Sequence, residues 1–122
     1  TPAFTPAQPR QMADELGWDD FEGLARDFLT ELPIELDRLP VHLAAGARQD
    51  LKRGAHSLKG ISLTLGLTGL AEILLQLEKA AETADPDRLA HYISALSRPA
   101  EQGEKELREW PQTGRATELS PG

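Results

Sequence analysis

Four times along this chain the apolar residues return at alternating intervals of three and four positions. The first run is Ala25, Leu29, Leu32, Leu36, Leu39 and Leu43, and the second is Leu51, Ala55, Leu58, Ser62 and Leu65. The third is Leu67, Leu70, Leu74, Leu77, Ala81 and Ala84, and the fourth is Leu89, Ile93, Leu96, Ala100, Gly103, Leu107 and Trp110. That interval marks one face of an α-helix, and no stretch shows the period of two that a half-buried strand requires. Only 5% of the residues are aromatic, so leucine and alanine have to fill the interior, which suits helices better than stacked sheets. The connections are short, so successive helices run antiparallel. The expected fold is all-α, an up-down-up-down four-helix bundle with a short N-terminal helical extension.

Proline and glycine punctuate these runs. "TPAFTPAQPR" predicts an extended linker over residues 1–17, the bundle spans 18–110, and "PQTGRATELSPG" predicts a disordered tail over 111–122. Asp19 followed by Glu22 resembles a capping box at the start of the first helix. Pro33 and Pro40 are expected to kink or divide that helix, and Pro99 to bend or break the fourth. Gly46 and Gly66 stand where helices would end. The absence of an initiator methionine suggests a segment of a longer protein or a trimmed chain, and "TELSPG" reads as a chain end.

The chain has 122 residues, enough for one core, and no cysteine, which leaves neither a disulfide framework nor a thiolate metal site. A net charge of −7 argues against nucleic acid as the main partner. Nothing approaches the length of a membrane span, so no membrane contact is expected of this domain. The basic residues are nevertheless concentrated. Residues 47–60 hold Arg48, Lys52, Arg53 and Lys59 against the single acid Asp50, a patch suited to an anionic group or an acidic partner surface, or simply to a solvated helix face.

Within that patch, His56 lies one residue, about 100°, from the core position Ala55, and so faces outward at the edge of the buried stripe. Lys52, Lys59, Gly60 and Leu63 share its face. Glycine at 60 weakens the helix by roughly 1 kcal/mol relative to alanine. One explanation is that it uncovers the imidazole for close approach by another protein; the plain alternative is close packing between helices. His56 and Glu78 stand at equal distances either side of Leu67, so an antiparallel hairpin places them at the same height, roughly 16 Å from the turn. Glu78 could then accept a hydrogen bond from Nδ1–H and direct the Nε2 lone pair outward as a nucleophile. It could equally pair with Lys52 or Lys79, and His42 and His91 show no partner of this kind.

"AHSLKGISLTLGL" resembles the signature of histidine-containing phosphotransfer (HPt) domains, the four-helix modules of phosphorelays. The matching residues are Ala55, His56, Leu58, Lys59, Gly60, Ser62 and Gly66, with Leu77-Glu78 downstream and "LPIELDRL" and Asp50 upstream. The resemblance covers roughly residues 18–110. Ile61 and Leu63–Thr64 depart from it, standing where the family commonly carries alanine, serine and asparagine. What the resemblance implies is a stoichiometric phosphoryl carrier. His56 would take the group from an aspartate of a response-regulator receiver domain and pass it to another receiver. Lys59 would offset the phosphoryl charge, Glu78 would orient the imidazole, and Lys52, Gly60 and Leu63 would form the docking and access surface. No cofactor is implied for the chain itself, because Mg²⁺ belongs to the receiver. The same resemblance suggests a cytoplasmic monomer, alone or as the C-terminal module of a hybrid sensor kinase. Without a nucleotide-binding loop, it should not phosphorylate itself.

Three other readings remain open at this stage. The bundle could be the phospho-accepting domain of a chemotaxis-type histidine kinase, which Glu78 also suits. It could be a helical adaptor with an incidental histidine. A metal site built from His42, His56 and His91 lacks the inward-facing Glu-x-x-His pairs that such bundles carry.

Overall fold

The computed structural model describes residue 11 and residues 14–119, with side chains as far as residue 109. From residue 18 onward, among the described residues, five helices follow one another: α1 (Trp18–Ala44), α2 (Arg48–Thr64), α3 (Thr68–Ala80), α4 (Pro86–Ala95) and α5 (Ser97–Leu119). They form the antiparallel bundle, with α1, α2 and α3 as three arms and α4 with α5 as a broken fourth. The most extensive packing joins α2 to α3. Residues 14–16 are also helical, ahead of Gly17. Of the linker expected over residues 1–17, residues 1–10, 12 and 13 lie outside the described residues, as does the end of the tail at 120–122, while residues 14–16 are helix and not extended chain.

The four apolar stripes meet in one core. Ala25, Leu32, Leu39, Leu51, Ala55, Leu58, Leu65, Leu67, Leu70, Leu74, Leu77, Ala81, Leu89, Leu96, Ala100 and Leu107 are all buried, and Leu29, Leu36, Leu43, Ala84 and Ile93 pack against them. Phe21 and Phe28 join that core, although the leucine spacing passes them by. The place of Trp110 in the fourth stripe lies beyond the described side chains.

Three local expectations need correction. The prolines do not divide the first helix: α1 is continuous through Pro33 and Pro40. Each removes one helix hydrogen bond, but both rings are exposed while Leu32 and Leu39 beside them keep the buried stripe in register. Helix α1 begins at Trp18 after Gly17, so Asp19 occupies the first turn and not the capping position; there its charge complements the helix dipole. At the other end, α5 continues as helix to Leu119, where a disordered tail was expected from residue 111. Pro99 does break the fourth arm. A helix continuous through Pro99 would drive its ring into the carbonyl four residues back, and α4 stops at that residue, Ala95.

The two hairpin turns that set the register of α2 are built alike. Gly46 (φ 70°) and Gly66 (φ 81°) adopt the left-handed conformation that ends α1 and α2. In each, the glycine N–H reaches back three residues, Gly46 to Leu43 and Gly66 to Leu63, at 3.1 Å. The next N–H reaches back five, Ala47 to His42 at 2.9 Å and Leu67 to Ser62 at 2.7 Å, which completes a Schellman motif. Ala47 and Leu67 then serve as the N-caps of α2 and α3. With Leu67 fully buried, the α2–α3 hairpin is anchored at its tip.

Candidate functional site

That anchored hairpin places side chains from α2 and α3 side by side. Lys52 and Glu82, each fifteen residues from Leu67, form an ion pair at 3.2 Å, and Gln49 Nε2 donates to the same Glu82 oxygen at 2.8 Å. One turn nearer the tip, His56 Nδ1 bonds to Glu78 Oε1. Lys59 Nζ approaches both oxygens of Glu78, at 3.3 and 3.2 Å. Glu78 therefore pairs with His56 and Lys59; Lys52 goes to Glu82, and Lys79 is exposed.

Exposure differs sharply within this cluster. The His56 side chain is 69% exposed, whereas Glu78 is 15% and Lys59 18% exposed. The carboxylate and ammonium form a partly buried support, and the imidazole stands above it in solvent. Burial pushes the Glu78 carboxyl up, but the hydrogen bonds and charges of His56 and Lys59 outweigh it and hold the group below the usual glutamate range. A carboxylate accepting from Nδ1–H fixes the tautomer that leaves the lone pair on Nε2, at the opposite edge of the ring. The arrangement leaves one ring nitrogen exposed with its lone pair available, while the second nitrogen is occupied by Glu78.

Gly60 lies one turn beyond His56, and a Cβ built there meets nothing within 4 Å. The contrast with two other helical glycines is informative. A Cβ at Gly54 would lie 3.2 Å from Leu39 Cδ2, and one at Gly103 would lie 3.0 Å from Leu67 Cδ2. Gly54 and Gly103 admit neighbouring side chains, while Gly60 opens onto solvent beside the ring. Leu63, on the same face, is 46% exposed, and Ile61 is 45% exposed. Gly60 thus leaves an open notch beside His56, next to an apolar surface, in the region where this chain departs from the small and polar residues of its resemblance.

The remaining histidines stand apart. His42 is in the last turn of α1, and His91 is exposed beside Tyr92, their ring centroids 6.4 Å apart. Among the described residues no group of three or more His, Asp or Glu side chains is arranged to hold a metal ion. Nor, among them, is any helix long and apolar enough to cross a membrane. Of the four cations in the basic run, each has a partner: Arg48 donates to the carbonyls of Ala81 and Ala84, Lys52 pairs with Glu82, Arg53 with Asp50 and Lys59 with Glu78. Sequence reasoning missed the Lys52–Glu82 pair, although the symmetry about Leu67 that aligns His56 with Glu78 also aligns these two.

Comparison with known proteins bears on this geometry. The Hpt domain family model matches residues 10–111. Among solved structures, histidine-containing phosphotransfer protein B (HptB) from Pseudomonas aeruginosa PAO1 superposes with a TM-score of 0.83 at 24% identity, covering 93% of this chain and 97% of that one, a likeness of fold. A search of curated proteins returns no match. With the family model spanning nearly the whole bundle, the chain belongs to the Hpt family, the histidine phosphotransfer domains that serve receiver domains in phosphorelay signalling.

Proposed function

We propose that His56 is the phosphorylated residue, and that its Nε2 attacks the phosphoryl group of a receiver aspartyl phosphate. The bond from phosphorus to the aspartyl oxygen breaks as the N–P bond forms, and a second receiver aspartate later reverses the exchange. The observation that carries this reading is an exposed imidazole whose Nδ1 is held by a partly buried carboxylate. Glu78 keeps the reactive tautomer in place. Lys59, held against Glu78, supplies positive charge near the ring and offsets part of the incoming negative charge. Gly60 leaves room for the receiver backbone to approach, and Leu63 and Lys52 contact the receiver around the transfer point. Mg²⁺ and most of the transition-state stabilisation belong to the receiver. The chain is a stoichiometric carrier, a cytoplasmic monomer over residues 18–110, and a module suited to a hybrid sensor kinase.

The test is transfer from a phosphorylated receiver to His56→Gln, His42→Gln and His91→Gln variants. Only His56→Gln should lose the label; label retained there would overturn the assignment. The Glu78–His56 pair also suits a phospho-accepting domain fed by a chemotaxis-type kinase. Phosphorylation by such a kinase with ATP, and none by any receiver, would favour that second reading.

A further inference from the structure

We propose that the phosphoryl group on His56 is held directly by Arg53 and Lys52, in a recess on the N-terminal side of the ring, and that Lys59 acts on it only from a distance. The proposal rests on the reading of His56 as the phosphorylated residue.

The recess has a volume of about 360 Å³ and is lined by Gln49, Lys52, Arg53, His56, Ser57 and Glu78. Lys59 is not one of its walls. Lys52 and Arg53 stand four and three residues before His56, one helical turn away and on its face. Nδ1 is taken by Glu78, so the phosphoryl group is on Nε2, at the opposite edge of the ring, and the Glu78 carboxylate in the recess wall is already engaged by His56 and Lys59.

The existing ion pairs decide which cations are available. Lys59 touches both oxygens of Glu78, and both side chains are more than four-fifths buried. Withdrawing it would leave a partly buried carboxylate short of a partner. Arg53 is 76% exposed and pairs with Asp50, itself 48% exposed, one turn away on the same helix. Lys52 and Glu82 are 44% and 42% exposed. Exposed pairs of this kind contribute little and exchange readily. A phosphoryl group brings roughly 1.5–2 negative charges and three acceptor oxygens, more than the single charge of Asp50 or Glu82. The planar guanidinium of Arg53 matches two of those oxygens, and the Ser57 hydroxyl can donate to the third. Phosphorylation then releases Asp50 and Glu82, on either side of the hairpin, to solvent or to a partner.

The experiment is a ³¹P NMR titration of the domain phosphorylated with phosphoramidate, whose P–N bond breaks as the Nε2–P bond forms, releasing ammonia. A nearby cation favours the dianion and lowers the phosphoryl pKa. Arg53→Gln and Lys52→Gln should therefore each raise it, by roughly 0.2–0.7 pH unit, with Arg53→Lys recovering part of the shift. Both residues are exposed, so neither change should disturb the fold, and a purely structural role would not move this titration. A double variant titrating as wild type does would overturn the proposal and place the group elsewhere, over Lys59. Phosphoramidate labels any exposed imidazole, so the His56 resonance is the one missing from His56→Gln; a spectrum of that variant with no resonance lost would instead refute the underlying reading of His56.

Discussion

Replacing Gly60 separates the two physical reasons for a glycine in the middle of a helix. Gly60→Ala adds a methyl where the structure has nothing within 4 Å. Helix propensity alone then operates, and the domain should gain about 1 kcal/mol. For a domain of this size that raises the thermal midpoint by roughly 3–6 °C. Gly60→Leu should also keep the fold, but it fills the notch beside His56. A receiver forced back by about 1 Å loses roughly 100-fold in rate, because in-line transfer requires close approach. Gly103→Ala is the control in the opposite sense. Its methyl would lie 3.0 Å from Leu67 Cδ2 at the anchored hairpin tip, and overpacking of roughly 1–3 kcal/mol offsets or exceeds the propensity gain. Thermal melts and phosphotransfer rates on the three variants give the comparison. A Gly60→Leu domain that melts early, yet transfers normally through its folded fraction, would refute the access argument.

Other changes probe the support beneath the ring. Lys59→Ala should slow transfer by about 1–2 kcal/mol of barrier, roughly 5–30-fold, without abolishing it; a rate equal to wild type across receiver concentrations would count against a role in charge compensation. Glu78→Gln tests the depressed carboxyl. A group whose pKa is lowered by folding stabilises the fold above its unfolded value, and this contribution is lost as pH falls through the folded value. The wild type should therefore lose denaturant stability between about pH 6 and about pH 3 more steeply than Glu78→Gln, and equal slopes would show that the pair does not act. Ser62 is fully buried and its hydroxyl has no hydrogen-bond partner among the described residues. Ser62→Ala should raise stability by about 1 kcal/mol with transfer unchanged, and a destabilised variant would show that the hydroxyl is satisfied after all.

Much of the fold is written in the spacing of leucine and alanine, because a helix that buries one face has to repeat at that interval. The His56–Glu78 pairing was legible for a related reason: a tight hairpin makes sequence distance from Leu67 a measure of height. What spacing cannot convey is the outcome of competition. Pro33 and Pro40 disfavour helix locally, yet Leu32 and Leu39 bury so completely beside them that α1 stays whole. Pro99 prevails where the neighbouring chain can turn at Leu96. The cation partners were equally hidden. Lys59 points back to Glu78 and Lys52 to Glu82, choices set by side-chain reach across the α2–α3 groove.

The most direct measurement is ¹⁵N and ³¹P NMR of the histidine side chains after incubation with a phosphorylated receiver. Phosphorus should appear on Nε2 of His56 alone, with Nδ1 still protonated and hydrogen-bonded to Glu78. Phosphorus on Nδ1 of His56, or on His42 or His91, would contradict the account.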